Sequence, residues 1–391
     1  MLAAPVFFAV TFALLVGVLG IAYGWAASAF PWIAAHKKGI AIGAVAFLVA
    51  QSVARWMVIH WHSQAADAVH TTLVVLGMTL GIAAVPLLLL RVFSWSTSRR
   101  QRVVSADPSP GAGVVTRRQA VEQIAGMAVL GSSGATLGWG AARGRHMFEM
   151  SDLPVRIAGL PRALDGYVIA QISDIHTGVH VDERLIAEGL DVVRKARADL
   201  VVVTGDLVDV DSSFTPLLAR RLADLPLRDG VTAILGNHDY YAGVDDVVAA
   251  LRAAGIDVLV NRGKVVRAAD GGGFALLGVD DRWAGRYRRA RPRLDRALLT
   301  VPPDMPRILL SHQPATIDKW AGQVALQLSG HTHGGQINPG FRPAELFFRY
   351  VAGPYDVGGT MLYVNRGFGT VGPPSRIGAP PEVTRITLVA A

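Results

Sequence analysis

Ser329-Gly330-His331-Thr332-His333-Gly334-Gly335-Gln336 follows the apolar run Val324-Ala325-Leu326-Gln327-Leu328. Two imidazoles one residue apart, framed by glycines at the exit of an apolar run, stand where a buried strand hands side chains to a site. Alone, such a pair carries little weight, because histidine also serves as a surface or core residue. Its weight comes from the neighbouring segments.

Tyr167-Val168-Ile169-Ala170 runs into Asp174 and His176, Leu200-Val201-Val202-Val203 into Gly205-Asp206 and Asp209, and Ala233-Ile234-Leu235 into Gly236-Asn237-His238-Asp239. Ile308-Leu309-Leu310 runs into Ser311-His312, and Phe274-Ala275-Leu276-Leu277 into Asp280-Asp281. With the opening stretch, six segments deliver Asp, Asn or His at the equivalent place, just beyond a short apolar run. Helical patterns at 183–198 and 245–254 separate the runs, so the spacing predicts a layered α/β fold whose site lies past the strand ends. On extended backbone, residues two apart point the same way, which predicts that His331 and His333 converge.

In this order, Asp174-x-His176, Gly205-Asp206-x-x-Asp209, Gly236-Asn237-His238-Asp239, Ser311-His312 and Gly330-His331-x-His333 resemble the calcineurin-like metallophosphoesterase family. The resemblance spans residues 165 to 391. The tail Tyr363-Val364-Asn365-Arg366-Gly367-Phe368-Gly369 and Ala379-Pro380-Pro381-Glu382-Val383-Thr384 looks like its membrane-anchored bacterial branch, which includes hydrolases of envelope lipids and cell-wall polymers. The resemblance implies a β-sandwich flanked by helices. It also implies two adjacent divalent ions, one on Asp174, His176, Asp206 and His333, the other on Asp206, Asn237, His312 and His331, with Asp206 bridging. His238 is then the expected catalytic acid, Asp239 the carboxylate that orients it, and Asp209 an outer support. A phosphate ester repels hydroxide, and two ions about 3.5–4 Å apart relieve that repulsion and lower the pKa of the attacking water, which would bridge them. Carboxylate, imidazole and amide donors suit Mn, Fe, Zn or Co.

The first 150 residues differ in kind. Of the chain's 391 residues, they hold 11 Lys and Arg against 4 Asp and Glu, so most of the net charge of +8 belongs to them. The remainder is balanced, and no nucleic-acid partner is expected. Apolar stretches at 5–27, 40–59 and 71–92 approach or exceed the ~20 residues that span a bilayer, and a weaker one at 120–142 contains Glu122 and Gln123. The expected organisation is a three-span membrane module at 1–100, a linker plus anchor helix at 101–150, and a phosphoesterase domain at 151–391. Lys37 and Lys38 lie in one connecting loop, and Arg91, Arg99, Arg100, Arg102, Arg117 and Arg118 in another. The positive-inside rule therefore puts the C-terminal domain on the extracytoplasmic side of a bacterial inner membrane. Thr116-Arg117-Arg118 also partly matches a twin-arginine export signal. His60, Trp61, His62 and His70 read as membrane-interface residues, and 103–115 as a flexible loop.

The chain has no cysteine, which excludes disulfides, a thiolate nucleophile and thiolate-bound metal. Two features bear on the substrate. Arg282, Arg286, Arg288, Arg289, Arg291, Arg293 and Arg296 crowd one segment, as a solvated face or as contacts for an anionic substrate. Phe341, Leu346, Phe347, Phe348, Tyr350 and Tyr355 form an apolar run after the metal motif, as buried core or as a lipid contact. The expected activity is hydrolysis of a phosphate ester or pyrophosphate bond of a phosphorylated small molecule or lipid. The alternative is a membrane sensor or assembly protein whose phosphoesterase-like domain only binds a ligand.

Overall fold

The computed structural model describes residues 3–61, 64–102 and 117–391 of the chain. The loop read at 103–115 and the side chains of His60, Trp61, His62, Arg99, Arg100, Arg102 and Arg118 fall outside the described residues. The chain divides into two compact units, Met1–Ala141 and Ala142–Ala391. The second unit begins ahead of the expected 151 because the β-structure starts at Glu149 and Phe148 packs edge-on against Phe368, ring centres 4.8 Å apart.

The first unit is helical: α1 (Ala3–Ala29), α2 (Pro31–Ala35), α3 (Lys37–Trp61), α4 (Gln64–Arg102) and α5 (Arg117–Ala142). Two stretches, Lys37–Ala54 in α3 and Ala68–Phe93 in α4, are long and apolar enough to cross a membrane. Ile42, Val45, Val49 and Val53 form an exposed stripe along α3, an arrangement that suits lipid rather than water. The expected fourth span differs. Among the described residues α5 has no stretch apolar enough to qualify, because Glu122 and Gln123 open it and glycine and serine dilute the rest. Those polar groups are used inside the bundle, where Gln123 Nε2 donates to the Ala29 carbonyl and Ser28 Oγ to Glu122.

The second unit stacks two six-stranded sheets. The strands are β1 (Glu149–Ile157), β2 (Val168–Ile172), β3 (Leu200–Thr204), β4 (Val231–Ile234), β5 (Asp257–Val258), β6 (Arg262–Arg267), β7 (Gly273–Gly278), β8 (Arg307–Leu310), β9 (Leu326–Ser329), β10 (Gly353–Val357), β11 (Thr360–Val364) and β12 (Glu382–Ala390). One sheet has the order β1-β12-β2-β3-β4-β5, the other β10-β11-β9-β8-β7-β6. Alternate residues divide between two cores. Ile169, Val202 and Ile234 of the first sheet meet Phe274, Leu276, Ile308 and Leu328 of the second. Ala170, Val201, Val203 and Ala233 face instead the helices α6 (Glu183–Lys195), α7 (Thr215–Ala223) and α8 (Asn237–Ala253). Ala275, Leu277 and Leu309 are covered on the far side by Leu294 and Ala297. With both faces buried, each of these central strands reads as a largely apolar run.

β2, β3 and β4 are parallel neighbours, as are β7, β8 and β9, so within each sheet their C-terminal ends open on the same side. One buried side chain ties the sheets together there: Gln171 Nε2 on β2 donates to the Ser329 carbonyl on β9 at 2.9 Å and to Thr204 Oγ1 on β3 at 3.0 Å.

Candidate metal centre

Each expected ligand leaves the end of one of these strands: Asp174 and His176 after β2, Asp206 after β3, Asn237 after β4, His312 after β8, His331 and His333 after β9. The structure brings them into one cluster. Donor atoms of Asp174, His176 and His333 lie within 4.8 Å of one another, as do those of Asp206, His312 and His331, and those of His176, Asp206 and His238. Asp206 and His176 each belong to two of these triads, so the groups form adjoining sites rather than separate ones.

The backbone that presents them is strained. Asp174, His176, Asp206, His331 and His333 all have left-handed φ, between 50 and 74°, a conformation that costs a non-glycine residue about 1–3 kcal/mol. His331 and His333 therefore do not sit on extended backbone, contrary to the expectation from spacing; the chain coils after Ser329, and both rings still reach the cluster, His331 beside Asp206 and His312 and His333 beside Asp174 and His176. Two glycines permit the close approach. A Cβ on Gly330 would lie 1.9 Å from Ser173 Oγ, and one on Gly236 would lie 2.2 Å from Asp206 Oδ1.

The donor set fits divalent cations. His312 Nδ1 hydrogen-bonds the Thr204 carbonyl at 2.8 Å, so Nδ1 carries a proton and Nε2 faces Asp206 Oδ2 at 3.2 Å and His331 Nδ1 at 3.2 Å. His176 Nε2 and His333 Nε2 approach to 3.0 Å. Lone pairs converging in this way need a shared positive charge between them. The Asn237 Oδ1 is buried and accepts no hydrogen bond, while its Nδ2 donates to Tyr241 Oη at 3.3 Å, leaving the amide oxygen aimed as a ligand. Electrostatics agree. Burial opposes charge on Asp206, yet the His312 imidazole holds its carboxyl well below the usual range, while burial and the charge of His312 push His331 down to about 3. Burial opposes charge on His312 too, but the Asp206 carboxylate pushes it well above the ordinary imidazole range, so a cation bound at Nε2 would take the place of a proton held there.

His238 and its neighbours correct the expected division of labour. Asp239 does not orient the His238 ring. One residue apart in the first turn of α8, the two side chains point about 100° apart. Asp239 instead accepts the backbone N–H groups of Leu207 at 2.9 Å, Val208 at 3.3 Å and Gly236 at 2.8 Å, and is fully buried. It ties the loop after β3 to the start of α8. The carboxylate beside the imidazole belongs to Asp209, whose Oδ1 lies 3.1 Å from His238 Nδ1 and 3.7 Å from His176 Nδ1; the Asp209 carbonyl is 2.9 Å from the same His238 nitrogen. Burial disfavours the imidazolium, but the Asp209 hydrogen bond and the charges of Asp206 and Asp209 outweigh it and push His238 up to about 9.

Arg376 is a supporting residue that sequence reasoning missed. Fully buried, it donates to the carbonyls of Gly369 at 2.7 Å, Arg366 at 2.8 Å and Ala379 at 3.0 Å, and Nη2 stands 3.3 Å from His333 Nδ1. Burial and the charge of His176 together with that of Arg376 hold His333 well below the ordinary imidazole range. Its only sequence signal is an arginine inside a Pro- and Gly-rich tail.

Residues 167–335 match the sequence profile of the calcineurin-like phosphoesterase family. The chain is 32% identical over 290 residues to the uncharacterized metallophosphoesterase YkuE of Bacillus subtilis, covering 70% of this chain and 98% of that protein. It is 34% identical over 252 residues to a transmembrane protein with metallophosphoesterase domain of Danio rerio, covering 62% of this chain and 58% of that one. Among solved structures it is similar to the NAD nucleotidase (NadN) of Haemophilus influenzae, with a TM-score of 0.37 and 17% identity over 52% of this chain and 45% of that one. The family profile and the relatives define a metal-dependent phosphoric ester hydrolase. This chain belongs to the calcineurin-like metallophosphoesterase family.

Two outcomes follow from the geometry. Stripping divalent ions with a chelator lowers the melting temperature, and restoring Mn raises it, because an ion at 100 times its Kd adds about 2.7 kcal/mol to the folded state; a melting curve indifferent to both treatments contradicts the ligand set. Asp209→Asn lowers kcat about 10–100-fold with little change in melting temperature. Asp239→Asn does the reverse, lowering the melting temperature by putting an amide N–H group where a carboxyl oxygen accepts from buried N–H groups. Steady-state kinetics and thermal unfolding on the two purified variants distinguish the roles.

Proposed function

We propose that this protein is a membrane-anchored, dinuclear metal-dependent phosphoesterase that cleaves a phosphate ester or pyrophosphate bond of an envelope lipid or cell-wall polymer. One observation carries the proposal: three donor triads that share His176 and Asp206 and meet beyond the strand ends. Asp174, His176 and His333 with Asp206 would hold one ion, and Asp206, Asn237, His312 and His331 the other. Bound divalent cations would supply positive charge against the phosphoryl oxygens and lower the pKa of water at the site.

The chain's own residues do the rest. His238 Nδ1 donates to Asp209, which fixes the ring and leaves Nε2 to hydrogen-bond a phosphoryl oxygen and pass its proton to the leaving oxygen. Tyr241 Oη accepts from the Asn237 amide, so the amide oxygen keeps its direction. Arg376 holds the tail against His333. The membrane anchor is supported by the two apolar helices and by relatives named transmembrane. The basic residues flanking those helices favour a domain outside the cytoplasm of a bacterial inner membrane, a placement that requires α5, less apolar than α3 and α4, to make the last crossing.

The full chain, purified in detergent and loaded with Mn, should hydrolyse aryl phosphate mono- or diesters. His238→Asn should retain the metal-dependent rise in melting temperature and lose about 10²–10⁴-fold in kcat. Equal turnover by the wild type and Asp206→Asn removes the basis of the proposal. Orientation has a clean test because the chain has no cysteine. A single Leu299→Cys, at a position 86% exposed, should react with a membrane-impermeant maleimide on intact spheroplasts. Protection until lysis would put the domain on the cytoplasmic side.

A further inference from the structure

Beside the metal centre lies a pocket of about 680 Å³ whose wall includes the ligand His331. Six cationic side chains line it. Two have acidic partners: Arg293 pairs with Asp295 at 2.5 Å and Arg349 with Asp318 at 3.4 Å. The other four, Arg282, Arg286, Arg291 and Lys319, have no carboxylate within ion-pair reach among the described residues. Of the other arginines of the run, Arg289 is paired with Asp245, while Arg288 and Arg296 stand outside the pocket. Four cations without an acidic partner thus share the pocket.

The pocket is joined to the centre on two sides. Arg286 lies over the Trp283 ring, 3.6 Å from its centre; Trp283 meets Tyr241 edge-on at 5.1 Å; Tyr241 packs on His238 at 5.0 Å and receives the Asn237 hydrogen bond. On the other side Phe348 stands edge-on to His331 at 6.1 Å. One molecule can therefore reach both these cations and the metal ligands. Four like charges kept together in a partly enclosed space repel one another, and an anion of two or more charges relieves them. Phosphate suits a mixture of arginine forks and a lysine point charge.

We infer that the pocket is a second anion subsite, and that the substrate carries a second phosphate group, bound by Arg282, Arg286, Arg291 and Lys319 while the first is hydrolysed at the metal centre. This rests on the phosphoesterase reading above and narrows it from phosphate esters in general to bisphosphates or diphosphates. Two sources share that chemistry, a soluble bisphosphate and a diphosphorylated lipid. Phe341, Leu346 and Phe347, 63%, 79% and 82% exposed on the segment leading to Phe348, give a lipid chain apolar surface to follow.

The test compares substrates that differ by one phosphate, using the full chain loaded with Mn in detergent. One arm pairs hexane-1,6-diol bisphosphate with hexyl phosphate; the other pairs diacylglycerol diphosphate with diacylglycerol phosphate in mixed micelles. Phosphate release should show kcat/KM higher by about tenfold or more for the doubly phosphorylated member of at least one pair, mainly through KM. The arm with the larger ratio identifies the source. In the triple variant Arg286→Gln, Arg291→Gln, Lys319→Gln the ratio should fall towards one, each preparation serving as its own control for folding. A ratio near one for both pairs in the wild type, or an undiminished ratio in the triple variant, overturns the inference. Calorimetric titration of the metal-free chain with hexane-1,6-diol bisphosphate separates the two readings. Binding weakened by the triple variant supports the subsite even if the loaded protein hydrolyses no aryl phosphate, whereas equal binding by both proteins counts against it.

Discussion

The carboxylate of Asp206 organises the C-terminal unit. Its Oδ1 accepts the His238 backbone N–H at 2.8 Å, which sets the first turn of α8, and its Oδ2 lies 3.2 Å from His312 Nε2 and 3.6 Å from His176 Nε2. An ionised group this deeply buried is costly unless it is compensated on every side. The fold meets that demand by ending strands of both sheets at one place. The Gln171 bridge beneath, the left-handed turns above and the glycines that admit them all serve the same convergence.

Strain and compensation fall on the same residues. Five ligands hold left-handed backbone that a polar side chain tolerates only where neighbours enforce it. Enforcement is visible in the hydrogen bonds: the Asp174 carboxylate takes the His331 N–H at 2.9 Å, the Asp206 carbonyl takes the His176 N–H at 3.1 Å, and the Asp174 N–H is bound by the Gly205 carbonyl at 3.0 Å. Each loop after a strand is thus held by the loop after its neighbour, and the ligand geometry is set by packing before any ion arrives.

Much of this was legible in the sequence because it depends on residue type and order. Asp, Asn and His placed just past apolar runs are an arrangement that a buried strand makes meaningful, and both sheet centres follow from those runs. Side-chain direction was less legible. Asp239 stands next to His238 in sequence and was expected to hold it; the helical twist turns Asp239 inward to three backbone N–H groups, and Asp209, from a different loop, reaches the ring instead. Arg376 was invisible for a related reason, since its contact with His333 crosses 43 residues and no local pattern marks it. The edge strands β1, β5, β6 and β10 lack the unbroken apolar character of the central ones and leave little trace. Spacing foresaw that His331 and His333 meet at the site but not by which backbone, since both reach it through a positive φ rather than along extended chain.

The place of β12 adds a consequence for biogenesis. It lies between β1 and β2, antiparallel to β2 and parallel to β1, and Glu382 at its start accepts from Tyr363 Oη and the Arg366 N–H. A nascent polypeptide that has emerged only as far as His333 already carries every ligand, yet it lacks the strand that joins β1 to β2 and the arginine that braces the last imidazole. Hydrolytic competence therefore arises late in synthesis. Ribosome-bound intermediates of that length hold the donors without the frame that aims them.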